Sequence, residues 1–97
     1  MHPNELAPPP IVDGDPKAFE ILRVWAAGGE QHVTIHSGLQ GTLEDFGYLL
    51  AQLARHGAIL YSSREGIDEE QALTRIRDGF DDEWEQPTAW PEGEVPE

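Results

Sequence analysis

The sequence predicts an α+β protein: a β-hairpin followed by two α-helices, set between a proline-rich N-terminal arm and an acidic C-terminal tail. Three observations predict it. All eight prolines lie at Pro16 or earlier, or at Pro87 or later, which leaves the 70 residues 17–86 free of a residue that fixes φ and lacks an amide donor. Two short runs rich in β-branched and aromatic residues straddle Gly28-Gly29. Beyond Gly41, two longer stretches repeat apolar residues at helical spacing. The division that follows is an extended arm over 1–16, one compact α+β domain over 17–86 and an acidic tail over 87–97.

Within the arm, Ala7-Pro8-Pro9-Pro10 predicts polyproline II. The first strand is expected over Phe19–Ala26 and the second over Gln31–His36, joined by a two-residue glycine turn. That turn pairs Ala27 with Glu30, Trp25 with His32, Val24 with Val33, Arg23 with Thr34 and Leu22 with Ile35. Because side chains alternate along a strand, Leu22, Val24, Val33 and Ile35 then share one apolar face. The other face mixes Phe19, Ile21, Arg23 and Trp25 with His32, Thr34 and His36. Two rings and an isoleucine on that side predict cover from the N-terminal arm or a second subunit.

Thr42-Leu43-Glu44-Asp45 is a capping box with Asp in the fourth place, and it opens a helix expected to reach Arg64, with Gly66 as its cap. At 100° per residue, Phe46, Leu49, Leu50, Leu53, Gly57, Leu60 and Tyr61 form a stripe of mostly large residues. Gly47, Ala51, Ala54 and Ala58 fill the adjoining sector. A helix patterned in this way predicts packing on two sides, since small residues admit a second backbone. The second helix is expected from Asp68, with Gln71 completing a box, to Glu85. Its apolar stripe is Ala72, Leu73, Ile76, Phe80 and Trp84. The opposite side carries Glu70, Asp78, Asp81, Asp82 and Glu85, a candidate acidic interaction face. Like charges four apart and acids at a helix carboxyl end each cost a few tenths of a kcal/mol.

Composition narrows the function classes. The 97 residues carry 19 Asp and Glu against 6 Lys and Arg, a formal charge of −13. Residues 65–97 hold twelve of those acids and only Arg75 and Arg77 as bases, so the charge is concentrated in the second helix and tail. This balance argues against nucleic acid and anionic membrane as partners, which are gripped by a surplus of Lys and Arg. The absence of cysteine excludes disulfides, thiol catalysis and zinc-thiolate sites. No apolar run approaches the roughly 20 residues that cross a bilayer, and no basic-then-apolar leader opens the chain, so the expected location is cytoplasmic.

The chemistry-bearing residues do not form a catalytic set. His32 and His36 stand four apart on a strand, separated by about 13 Å, too far to share a metal. Asp13-Gly14-Asp15 resembles the start of a calcium loop but lacks its twelfth-position glutamate. Ser37, Ser62 and Ser63 have no nucleophile-elbow setting, and Gly38-Leu39-Gln40-Gly41 lacks the Lys-Ser or Lys-Thr of a phosphate loop. No metal and no cofactor is expected. Trp84 and Trp90 flank Pro87, and the tail reads either as folding back on the core or as a recognition segment for a partner groove. A hairpin and two helices of about 70 residues, with no disulfide, are marginal alone, which predicts a homo-oligomer.

Leu22-Arg23-Val24-Trp25, Leu53-Ala54-Arg55-His56 followed by Tyr61, and Ala72–Phe80 with Glu83-Trp84 together resemble a family of small bacterial proteins known only as a domain of unknown function. The resemblance covers most of residues 6–90 and implies no substrate or cofactor. It directs attention to Arg23, Trp25, Arg55, His56 and Tyr61, which with His32 form the candidate ligand or groove residues; His56 is expected half-buried at the edge of the helix stripe. The leading expectation is a non-enzymatic, oligomeric interaction or accessory module that meets a basic protein through its acidic face and tail. The alternative is a small-ligand-binding or catalytic protein whose site forms between subunits.

Overall fold

Residues 2–88 are described by a computed structural model and fall into an α+β arrangement of one β-hairpin followed by two α-helices. They divide into two units, one ending at Leu39 and the other beginning at Gln40.

In the first unit the proline arm is extended at Pro9, with φ −60° and ψ 146°, and then closes into a 3-10 turn over Pro10–Gly14. The sequence predicted polyproline II through Pro10. The turn forms there instead because a proline at the first position of a helical turn loses no hydrogen bond and already has the required φ. The amide of Val12 donates to the carbonyl of Pro9 at 3.0 Å, and that of Asp15 to the carbonyl of Val12 at 3.2 Å.

Strands β1 (Leu22–Ala27) and β2 (Glu30–Ile35) pair antiparallel in the predicted register, from Ala27 opposite Glu30 to Leu22 opposite Ile35. Gly28 and Gly29 have φ of 60° and 79°. Both central residues of a type I′ turn need positive φ, and this turn matches the natural twist of the two strands. Strand β1 begins three residues later than Phe19, although the His36 amide still donates to the Ile21 carbonyl at 2.8 Å.

In the second unit, helix α1 (Leu43–Glu65) starts with the box the sequence predicts. The Asp45 amide donates to the Thr42 hydroxyl at 3.1 Å, and the Asp45 carboxylate accepts from the Thr42 amide at 2.9 Å. Gly66 ends it in the left-handed region at φ 70°. The Ser62 hydroxyl donates to the Ile67 carbonyl across the turn. Helix α2 (Glu69–Glu85) is capped by Asp68, which accepts from the amides of Glu70 and Gln71. The predicted return bond from the Gln71 side chain is not formed among the described residues.

The two helices meet through their small residues. Ala58 and Ala72 are 3% and 2% exposed, and the Ile76 side chain lies 3.6 Å from the space a Cβ on Gly57 would occupy. Helix α2 therefore takes the small-residue sector of α1. The adjoining large-residue stripe is left partly uncovered, with Leu53, Leu60 and Tyr61 all exposed. Burial also falls away from the connecting turn. Along the stripe of α2 it declines from Ala72 through Leu73 and Ile76 to Phe80 and Trp84, the last 73% exposed.

Candidate functional site

The candidate polar residues fall into two groups. Arg23, Trp25 and His32 belong to the hairpin, where the N-terminal arm lies against the mixed face. The Arg23 guanidinium pairs with Glu5 at 2.6 Å and with Glu20 at 2.8 Å. The hydrogen bond that Arg23 donates to Glu20 acts most strongly on it; partial desolvation opposes, the fields of Glu20 and Glu5 add, and the net effect raises the Arg23 pKa above its ordinary value. Trp25 meets the His2 ring edge-on at 5.1 Å. His32 is opposite Trp25 in the register but exposed, so the ring packed on Trp25 comes from the arm. At the far end of the same face, Phe19 tilts against His36 at 4.8 Å, and the Nδ1 of His36 accepts from the Gly38 amide at 2.9 Å. The arm thus supplies cover that the sequence predicted, and it neutralises the cation a ligand would have used. Glu5 and His2 carried no signal of their own beyond the unsatisfied face they meet.

Arg55, His56 and Tyr61 lie on α1. His56 is exposed rather than half-buried, since its position on the helix is turned away from α2. Tyr61 is 42% exposed, and Arg64, a residue the sequence reading did not single out, stands over its ring at 5.6 Å. Of the three, Arg55 lines the concavity between α1 and α2.

That concavity is an open groove of about 840 Å³ between α1 and α2, lined by the half of α1 up to Arg55 and by α2 from Leu73 to Trp84. Leu43, Phe46 and Leu50 of α1 and Phe80 and Trp84 of α2 form its walls, and the small residues Gly47, Ala51 and Ala54 line its α1 side. The Phe80 and Trp84 rings stack at 5.5 Å with 23° between their planes. Its charged side chains are Arg55, Arg77 and Asp81, a net positive lining in a chain of net charge −13. Arg77 reaches Asp81 at 3.8 Å, whereas Arg55 has no acidic partner among the described residues. Glu70, Asp78, Asp81, Asp82 and Glu85 are all exposed and share one side of α2, with Asp81 at the groove's edge. No group of three metal-ligating side chains converges among the described residues, and no described helix is long and apolar enough to cross a membrane. The tail reading that rests on Trp90 lies outside the described residues.

Residues 5–88 match the model of a domain of unknown function, DUF5076. The chain belongs to the DUF5076 family. The match spans the hairpin and both helices, the segments whose resemblance the sequence carried. Among curated proteins no sequence matches. Four chains of solved structures do. One is a protein of the photosynthetic bacterium Rhodopseudomonas palustrus CGA009 that bears the provisional name of a pyruvate dehydrogenase. It is 30% identical, superposes with a TM-score of 0.80, and the match covers 100% of this chain and 99% of that one.

Proposed function

We propose that this DUF5076 protein is a self-assembling acidic interaction module: a homo-oligomer whose apolar surfaces join copies and whose α2 acids face a basic protein partner. The observation that carries the reading is where the apolar side chains are. Ala58 and Ala72 are the only fully buried hydrophobic residues among those described, while Tyr48, Ile59, Leu60 and Trp84 are each more than half exposed. Large apolar side chains left this exposed favour cover by another chain, and identical chains most often supply it. Light scattering on the eluting protein tests it: the mass is expected at a multiple of 10.8 kDa, and a monomer at 100 µM would sink the reading. Binding to a basic protein is expected to weaken steeply with salt, because exposed charges are screened.

The alternative, a ligand or catalytic site formed between subunits, draws support from Arg55 and Arg77 beside an apolar groove. His56 and Tyr61 do not join them there. The activity in the provisional name of the Rhodopseudomonas protein is said of that protein alone.

A further inference from the structure

We infer that two copies join through the groove between α1 and α2, forming a two-fold four-helix bundle in which Phe80 and Trp84 of each copy seat between the helices of the other. The inference rests on the self-assembly reading and adds which surface carries it. Area supports a second copy as the occupant. Phe80 is 49% and Trp84 73% exposed, beside Leu43 at 90% and Leu50 at 37%. With 150–250 Å² for a buried aromatic side chain and roughly 100 Å² for a leucine, these four leave on the order of 400 Å² of apolar surface. An interface is about 60% apolar, so this is the core of a contact burying roughly 700 Å² per copy, close to the 800 Å² of a standard complex. Shape agrees, because a two-fold axis requires one surface to hold both ridge and groove. Here the stacked Phe80–Trp84 pair is the ridge, and the small residues Gly47, Ala51 and Ala54 leave the room.

Charge complementarity points the same way. The groove lining is net positive, and Arg55 lacks an acidic partner among the described residues. Its natural complement is an acidic, aromatic helix, which is what the end of α2 is. In the bundle, Arg55 faces the partner's Asp81 and Glu85, and the like-charge crowding of α2 acquires a counter-charge.

Sedimentation equilibrium of the full chain, with far-UV circular dichroism on every variant, tests this. The wild type is expected to dimerise. The double variant L43Q/W84Q is expected to raise the dimer Kd at least 30-fold, the scale of a lost aromatic hot spot, whereas Gln52→Ala, exposed and outside the groove, leaves it unchanged. Arg55→Glu is expected to weaken the dimer and R55E/D81R to restore it; because Arg55 is exposed, this pair still decides the matter if L43Q/W84Q loses helix signal. A dimer indifferent to all groove variants overturns the inference and leaves self-assembly standing. A monomeric wild type overturns both. An amphipathic small molecule retained by the wild type in native mass spectrometry and lost from L43Q/W84Q also overturns it, by making the groove a ligand site.

Discussion

The guanidinium of Arg23 lies 2.6 Å from the carboxylate of Glu5, which ties the N-terminal segment to the first strand of the hairpin. The contact sits beside the edge-on packing of His2 on Trp25, so an ion pair and a ring contact both tie the segment to the mixed sheet face. Glu5→Gln is expected to free it. The check is the indole resonance of Trp25 in an NMR spectrum, which should move when the His2 ring leaves, and should move the same way on adding 1 M salt to the wild type. A resonance unaffected by both would show that the arm is held by other contacts.

The same pair has a defined pH dependence on the arginine side. The folded-state pKa of Arg23 is raised, so its stabilising contribution is complete below the unfolded value and is lost only as pH rises through the folded one, in strong alkali. Between about pH 6 and 9 the Trp25 resonance should therefore not titrate on account of Arg23. A midpoint in that window that vanishes in Arg23→Lys would contradict the assignment.

Gly41 is the second position where a single substitution should tell. Its φ is 104°, and a Cβ there would lie 2.5 Å from the Asp45 carboxylate oxygen that accepts from Thr42. Gly41→Ala thus strains the backbone and displaces half of the capping box at once, an expected loss of about 2 kcal/mol, against about 1 kcal/mol for Thr42→Ala. The double variant should cost less than the sum, because both changes break the same box. Urea denaturation gives all three numbers, and full additivity would show the two effects to be separate.

Local pattern was enough to find the elements and their register. Gly28-Gly29 set the hairpin pairing, Thr42 and Asp45 the start of α1, and Gly66 and Asp68 the junction of the helices, because each acts over two to four residues through sterics or a single hydrogen bond. Contacts that join distant segments were legible only as needs. The mixed face of the hairpin asked for cover, but nothing in Met1–Pro10 showed that His2 and Glu5 would supply it. Likewise α1 showed two faces without showing which one α2 would take. The groove escaped for the same reason: Arg55 stood out, but its neighbours Arg77, Phe80 and Trp84 come from a helix some 25 residues away in the chain. The candidate set mixed residues of the hairpin with residues of α1, and of these only Arg55 lines the groove.

The acidic face of α2 should yield stability when relieved. Asp82 is exposed, four residues from Asp78 and in the last turn, where the helix dipole favours cations. Asp82→Lys is expected to stabilise the protein by about 0.5–1 kcal/mol at low salt, and the gain should fade near 1 M salt as screening removes both effects. Thermal melts at two salt concentrations check it. A gain that persists at high salt would point to packing rather than charge.

The helical hairpin is held by its smallest side chains, which inverts the usual expectation for a core. Ala58 is 3% and Ala72 2% exposed, whereas Leu60 on the adjoining stripe is 53% exposed. Enlarging the small residue should therefore hurt more than truncating the large one. Ala58→Leu pushes α2 away and is expected to cost about 1–3 kcal/mol, as overpacking does, while Leu60→Ala removes little that is buried within one chain and should stay near 0.5 kcal/mol when measured dilute. Denaturation at sub-micromolar and at 100 µM protein separates the two contributions. Assembly adds stability with concentration, so any extra cost of Leu60→Ala that appears only at 100 µM marks the stripe as part of a contact between copies. A large cost of Leu60→Ala already in dilute solution would mean that the stripe is covered within a single chain.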